Sequence, residues 1–315
     1  MVELTYRCNL DCFFCYNDLG LQGHPLTRDQ YLRFFEDLTA MGTMDLTLSG
    51  GEPLAHPDFF ALGAAARELG FVVRVKSNGH ALRRELALRL KREVDPFQVD
   101  ISLHGATAEV HDRQTRVTGS FERLQANLRE MLDLGLRAQL RVPLTAWNEH
   151  QVEAMCKLAD GLGTRIQFDT QITPRDNGDV EPLSVGPSPE GVDNLFRVLR
   201  TRARRVAADD DNEPAANDSV DSPGAEVALE PDKHCGAGST SVTVDPMGNV
   251  YPCVQWRRPV GNLHRQSIQD IWSTSAGLAE VRDLAGRVTG FVGDLGEEAK
   301  GLTFCPGLAE QTVGH

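Results

Sequence analysis

The stretch that decides the fold and the chemistry of this protein runs from residue 4 to residue 15 and reads LTYRCNLDCFFC. It starts with a short β-prone run and continues as a loop that carries Cys8, Cys12 and Cys15. Three thiolates from one loop can hold three irons of a four-iron cluster, whereas ordinary clusters take four cysteines. One iron then lacks a protein ligand, and a small molecule can coordinate it. A structural zinc site is the alternative, but zinc takes four closed ligands, and no fourth is evident nearby.

Beyond this loop, β-prone runs alternate with helical patterns as far as about residue 203. Strands are predicted at 4–6, 45–49, 72–76, 98–103, 138–144 and 165–171. Helices are predicted after Thr27, at about 59–69, 81–92, 121–134 and 152–162, and from Ser188-Pro189. Six β-then-α units in series imply parallel strands with right-handed crossovers. About 200 residues suit a partial (β/α)6 TIM-like barrel better than a closed eight-unit barrel, which needs about 250. The predicted fold class is α/β.

A second group of cysteines lies near the end of the chain, at Cys235, Cys253 and Cys305. The segment before it is rich in Asp, Asn, Ala, Pro and Ser without an apolar period, which is typical of a flexible linker. A hairpin is expected around 241–251 and a helix at about 268–284. We therefore predict a barrel domain at 1–206, an acidic linker at 207–234 and a small α+β domain at 235–315.

The charge of the chain argues against one class of partner. The net charge is −13, whereas a protein that binds nucleic acid shows a basic face. The sequence contains no run of 18 apolar residues, so no membrane span is expected. The N-terminus lacks the pattern of a signal peptide. Seven cysteines without a secretion signal argue against a disulfide framework. The expected location is the cytoplasm, where clustered thiols usually bind metal.

A glycine-rich loop follows the second strand and reads Ser49-Gly50-Gly51-Glu52-Pro53. Two glycines let the backbone approach a ligand closely, and Glu52 and the carbonyl groups can accept hydrogen bonds from an ammonium group. Ligands of parallel α/β folds gather at the carboxyl ends of the strands. This loop should therefore face the cysteine loop, although a Gly-Gly pair alone is more often an ordinary turn.

Together the two motifs resemble the radical S-adenosylmethionine (radical SAM) superfamily, whose signature is this three-cysteine loop followed by Gly-Gly-Glu-Pro. The resemblance implies that Cys8, Cys12 and Cys15 hold a 4Fe–4S cluster and that Gly50, Gly51, Glu52 and Pro53 hold the amino group of S-adenosyl-L-methionine. It also implies that the reduced cluster cleaves this cofactor to a 5′-deoxyadenosyl radical, which abstracts a hydrogen from the substrate.

Other strand ends match the family by position. The resemblance assigns Ser77 and Asn78 to the ribose of the cofactor and Ser102 to its carboxylate. Arg113 is a candidate for clamping a carboxylate, but a surface salt bridge is the more common role of such an arginine. His104 stands where the family more often has Asp. It is the weak candidate for a substrate contact or proton donor, and a structural histidine is as good an interpretation.

The second cysteine group resembles the start of a SPASM or Twitch domain, which carries auxiliary iron–sulfur clusters. The full pattern has more cysteines than Cys235, Cys253 and Cys305, so we expect one auxiliary cluster. His234, water, a carboxylate or substrate would fill its open position. A Cys3His zinc site that includes His234 is the alternative, and so is a site that no longer binds metal. Cys156 is interpreted as an apolar core residue.

Relatives with this architecture mostly modify ribosomally synthesised peptides by crosslinking, epimerisation or oxidation, so a peptide is the expected substrate. A small-molecule dehydrogenase or epimerase of antibiotic or cofactor biosynthesis is the alternative enzyme. A non-catalytic protein with structural metal is the alternative outside enzymes. The resemblance implies an electron donor such as flavodoxin or ferredoxin. Because the first cluster cysteine is already residue 8, a leader peptide would be held by a separate protein, or there is none.

Overall fold

A computed structural model describes residues 1–18, 20, 23–209, 235–294 and 305–313, without the side chains of 205–209 and 313. The strands are β1 Val2–Glu3, β2 Asp45–Ser49, β3 Val72–Ser77, β4 Gln98–Ser102, β5 Ala138–Pro143, β6 Arg165–Asp169, β7 Thr243–Val244, β8 Asn249–Tyr251 and β9 Gly261–Asn262. The helices are α1 Arg28–Ala40, α2 Phe59–Glu68, α3 Arg84–Glu93, α4 Ala108–Thr115, α5 Ser120–Asp133, α6 Val152–Gly161, α7 Pro189–Asp209, α8 Ile268–Thr274, α9 Ala276–Asp294 and α10 Pro306–Val313.

One sheet contains all of these strands, in the order β6-β5-β4-β3-β2-β1-β7-β8-β9. Strands β1 to β6 pair in parallel with their neighbours in chain order, as helical crossovers require. The α/β class and the parallel sheet predicted from the sequence are confirmed. The hairpin β7–β8 was also predicted, but the sheet position of β7 was not, because β7 pairs in parallel with β1 and so continues the barrel sheet.

The two faces of the parallel sheet differ in polarity because side chains alternate along a strand. Leu48, Val75, Ile101 and Leu140 lie in the apolar core, which also contains side chains of the covering helices. The opposite, concave face of β2–β6 is polar, and we call it the inner wall. It carries Ser49, Lys76, Asp100, Ser102, Arg141 and Asp169. A closed TIM barrel fills its interior with bulky branched residues, so this polar wall indicates a cleft.

The helices differ from the sequence prediction in several places, and among them α10 was not predicted and α9 ends ten residues beyond the predicted 284. The helix predicted at 268–284 is two helices, α8 and α9, because Ser275 between them has extended backbone angles. A short helix that was not predicted, α4, precedes α5. Helix α7 continues to Asp209, three residues into the predicted linker, and residues 210–234 of that linker lie outside the described residues. In the described part of the chain, no helix has the length and apolar character that a membrane crossing needs.

Candidate active site

Backbone hydrogen bonds align the glycine-rich loop with the start of the cysteine loop. The amide of Gly51 donates to the carbonyl of Thr5 at 2.7 Å, and the amide of Glu52 donates to the carbonyl of Arg7 at 2.9 Å. A β-carbon on Gly51 would lie 2.6 Å from the carbonyl oxygen of Arg7, closer than any side chain allows. Glycine is therefore required here by the approach of two backbones, and this approach sets the loop beside Cys8.

The three thiols of the first loop lie close enough together to influence one another. Burial raises the pKa of each of them, that of Cys15 to about 11. Negative charge on Cys15 and Cys8 raises the pKa of Cys12 further. The thiols of the protein alone are thus protonated at neutral pH, and a metal cluster must displace these protons when it binds.

The surroundings of Cys8 supply hydrogen-bond donors to its sulfur. The amide of Leu10 donates to the Cys8 sulfur at 3.4 Å, and the Asn78 side-chain amide donates to it at 3.7 Å. Asn78 also donates to the side-chain oxygen of Asn9 at 2.8 Å, which fixes its orientation. Such donors stabilise a ligating thiolate and tune the potential of an iron–sulfur cluster. The cysteine loop and its neighbours therefore fit the cluster that the sequence motif implies.

A cavity of about 260 Å³ borders this loop, and its lining includes Cys12, Cys15 and Asn17. Asn17 donates from its side chain to the carbonyl of Gly50 at 3.2 Å, while its own side-chain oxygen is buried without a hydrogen-bond partner. Asn17 therefore joins the cysteine loop to the glycine-rich loop and presents an acceptor that the described protein groups do not satisfy.

Glu52 ties the ends of β2 and β3 together. Its carboxyl oxygens accept hydrogen bonds from the Ser77 hydroxyl at 3.0 and 3.1 Å, from the amide of Asn78 at 2.9 Å and from the amide of Leu54 at 3.3 Å. Burial raises the pKa of Glu52 to about 7, against the opposing effect of these hydrogen bonds. The predicted residues Glu52, Ser77 and Asn78 thus form one contiguous group, in which the carboxyl group of Glu52 holds the other two.

The remaining candidates lie further from this group. Ser102 is half-buried at the end of β4, opposite Arg141 of β5. Arg113 stacks on the ring of Trp147 at 4.1 Å, a contact that the sequence did not indicate. His104 is buried, and its backbone amide donates to the ring of His111 at 3.2 Å. Burial holds the pKa of His104 well below the usual value, which favours the neutral form of the ring.

The second cysteine group is also brought together. Burial raises the pKa of Cys253 and of Cys305, and negative charge on Cys235 raises both further. The amide of Leu308 donates to the Cys305 sulfur at 3.4 Å. His234 lies outside the described residues. Among those that are described, no three His, Cys, Asp or Glu side chains are arranged to hold a single metal ion, and the zinc alternative, which includes His234, stays a hypothesis.

Sequence reasoning missed a buried ionic group between the two sets of cysteines. Arg257 donates to Glu3 at 2.6 Å, and its Nε lies 2.9 Å from Asp176. Tyr16, which follows Cys15, donates to Glu3 at 2.7 Å. The first strand was predicted at 4–6, but the structure has it at Val2–Glu3, so a glutamate next to an apolar run is the signal that could have revealed this group, since a buried charge requires a partner. The identity of that partner, about 250 residues away, is not encoded locally.

The comparisons with known proteins agree with these motifs. The profile of the radical SAM superfamily matches residues 2–159, and the profile of an iron–sulfur cluster-binding domain, SPASM, matches residues 235–289. Mycofactocin maturase MftC of Mycobacterium tuberculosis is 31% identical over 290 residues, which are 89% of this chain and 71% of that protein. AdoMet-dependent heme synthase of Methanosarcina barkeri is 26% identical over 89% of this chain and 83% of that protein.

The fold also matches a solved structure. Streptococcus suis SuiB bound to precursor peptide SuiA superimposes with a TM-score of 0.70, at 14% sequence identity, over 89% of this chain and 65% of that chain. At this identity the match establishes the fold alone.

Proposed function

The chain belongs to the radical SAM superfamily, and on that premise we propose that it modifies a ribosomally synthesised peptide by crosslinking, epimerisation or oxidation. The observation that carries the proposal is the alignment of the glycine-rich loop with the cysteine loop, through Gly51 and Glu52. The peptide substrate is supported by the similarity to mycofactocin maturase.

Each group of residues has a part in this proposal. Cys8, Cys12 and Cys15 hold the 4Fe–4S cluster, and Cys235, Cys253 and Cys305 hold an auxiliary cluster. When bound, the first cluster and S-adenosyl-L-methionine supply the radical that abstracts a substrate hydrogen. Gly50 to Pro53 shape the binding site of the cofactor. Glu52 keeps Ser77 and Asn78 in place for the ribose, and Ser102 is assigned to the cofactor carboxylate.

The proposal includes the boundaries expected from the sequence, with the barrel at 1–206, the linker at 207–234 and the auxiliary domain at 235–315. It also includes an electron donor such as flavodoxin or ferredoxin and a separate leader-binding protein. A cytoplasmic location is proposed because the cysteines of the described residues are all free thiols, which fits a reducing compartment.

The test is turnover in the absence of oxygen. Reconstituted protein is mixed with dithionite, S-adenosyl-L-methionine and the short peptides encoded beside its gene, and the products are analysed by mass spectrometry. We expect 5′-deoxyadenosine together with a peptide that has lost two hydrogen atoms or gained one deuterium from deuterated buffer. Cys8→Ala should abolish both products and Cys156→Ala should retain them. Cofactor cleavage without modification of any such peptide would contradict the proposal.

A small-molecule substrate is the second candidate, because AdoMet-dependent heme synthase is also among the relatives. The same assay separates the two. Formation of 5′-deoxyadenosine that responds to a metabolite extract and not to the peptides would favour this candidate.

A further inference from the structure

One cation of the inner wall lies on β3, near the middle of the sheet. Lys76 is on β3, directly before Ser77, whose hydroxyl donates to Glu52. Among the described residues, its ammonium group has no ion pair within 4 Å and no hydrogen bond, whereas Arg74 on the same face pairs with Asp45 at 3.6 Å. Lys76 therefore presents an unpaired positive charge one residue below the predicted ribose site.

The neighbouring carboxylate of the wall is already engaged by other side chains. Asp100, opposite Lys76 in the register of β3 and β4, accepts a hydrogen bond from Gln98 at 2.7 Å and lies 3.3 Å from Nε of Arg141. Arg141 also donates to Gln167. The nearest carboxylate is thus held by other groups, which leaves Lys76 available for an external anion.

The side chain of Lys76 is exposed to solvent, and yet its pKa is lowered. The main cause is burial, and the charge of Arg141 adds to it. The carboxylates of Asp100, Asp169 and Glu3 act in the opposite direction. Both observations hold for a side chain on a concave wall, which water reaches from one side only. Lys76 of β3 and Arg141 of β5 lie on the same face of the sheet, and an anion bound between them would restore the solvation that the ammonium group has lost.

We propose that Lys76, with Arg141 beside it, binds a carboxylate of the substrate on the inner wall. This inference rests on the proposed function, because it assigns the substrate group that lies beneath the cofactor. The carboxylate belongs either to the carboxyl terminus of a peptide or to an Asp or Glu side chain, and Arg141 is suited to the planar carboxylate by its guanidinium fork.

The test measures how fast single lysines are acetylated by the N-hydroxysuccinimide ester of acetic acid. Reconstituted enzyme with S-adenosyl-L-methionine is labelled in the presence of N-acetylglycine, of the α-amide of N-acetylglutamate or of neutral N-acetylglycinamide, at equal ionic strength. Peptide mass spectrometry then reports Lys76 against Lys157, an exposed lysine of α6.

We expect one of the two carboxylates to slow the labelling of Lys76 while the neutral amide does not, and Lys157 to be unaffected. A probe at ten times its dissociation constant should slow labelling about tenfold. Arg141→Gln should weaken this protection, and Arg74→Gln, further from the cofactor edge, should keep it. Protection of Lys76 by N-acetylglycine would identify the carboxyl terminus of a peptide as the bound group. Protection by the α-amide of N-acetylglutamate would identify a side-chain carboxylate.

Equal protection by the amide, or none by either carboxylate, would overturn the inference. Full protection by S-adenosyl-L-methionine alone would also overturn it, because Lys76 would then contact the cofactor. None of these results depends on turnover, so the formation of 5′-deoxyadenosine still decides the proposed function separately. With a peptide that the enzyme modifies, Lys76→Met should raise KM about tenfold or more, and Lys76→Arg should recover most of that loss.

Discussion

Arg257 of the carboxyl-terminal segment donates a hydrogen bond of 2.6 Å to Glu3 of the first strand. Its Nε lies 2.9 Å from Asp176, which follows β6. Since β1 is the first and β6 the last of the strands β1 to β6, which pair in chain order, one guanidinium group links the first of these strands to the segment that follows the last. It also lies 4.9 Å from the rings of both Tyr16 and Tyr251, which stand one residue after Cys15 and two before Cys253. The bridge therefore relates the two cysteine groups.

Replacement of Arg257 by methionine should destabilise the protein strongly, because Glu3 and Asp176 would stay buried without their cation. Removal of one partner of a buried ion pair costs about 3–5 kcal/mol, measured as the free energy of unfolding in urea under anaerobic conditions. Arg287→Met is the matched control, since Arg287 pairs with the exposed Asp283 at 3.1 Å and its loss should cost about 1 kcal/mol or less. Equal effects of the two substitutions would show that the bridge does not stabilise the fold.

The stability of the protein should depend on pH through Asp176. Burial raises the pKa of this carboxyl group from 3.8 to about 7, partly offset by Arg257 and reinforced by Glu3. Between pH 3.8 and about 7, Asp176 holds a proton in the folded protein but has released it in the unfolded chain. The contribution of Asp176 to stability therefore falls as the pH rises through this window. Asp176→Asn should remove that slope. Curves of unfolding free energy against pH that stay parallel for the two proteins would contradict the assignment.

The fold and the cofactor loops could be predicted from the sequence because their signals are local. The alternation of strands and helices predicted the parallel sheet, and the spacing of Cys8, Cys12 and Cys15 predicted the loop that follows β1. Helix α4 was missed because its eight residues carry polar and charged side chains without a clear apolar period. The break at Ser275 was missed because the apolar pattern continues on both sides of it.

The contacts between distant residues could not be predicted. The ion pair of Glu3 with Arg257 and the hydrogen bonds of Glu52 to Ser77 and Asn78 join parts of the chain that only the folded sheet brings together. For Glu52 the motif indicated an acceptor for a ligand. The structure adds that its oxygens already accept hydrogen bonds from the neighbouring strand end, a role that the residue type alone does not reveal.

Addition of one methyl group at Gly51 should disrupt the cofactor loops. The β-carbon of an alanine would lie 2.6 Å from the carbonyl oxygen of Arg7 and 2.7 Å from that of Tyr6, and backbone on both sides cannot yield without loss of the hydrogen bonds described above. Overpacking of this kind costs about 1–3 kcal/mol, and the affinity for S-adenosyl-L-methionine should fall as well.

Gly161→Ala is the control for that substitution. Gly161 is the last residue of α6, and a β-carbon there would meet no heavy atom within 4 Å. The change should leave cofactor binding intact and stability within about 1 kcal/mol of the original. Calorimetric titration of the reconstituted variants with the cofactor distinguishes the two glycines, and wild-type affinity in Gly51→Ala would refute the requirement for a close backbone approach.

The iron content of cysteine variants should separate the two proposed clusters. Each of Cys8→Ala, Cys12→Ala and Cys15→Ala should lower the iron bound per chain by about four, the content of one cubane cluster. Each of Cys235→Ala, Cys253→Ala and Cys305→Ala should remove the iron of the other cluster and leave the first, because the two groups of thiols lie on different segments. Cys156, buried among the apolar side chains of α6 and α7, provides the control. Its replacement by alanine should leave the iron content unchanged, and a loss of iron in that variant, or no loss in the Cys305 variant, would require a different set of ligands.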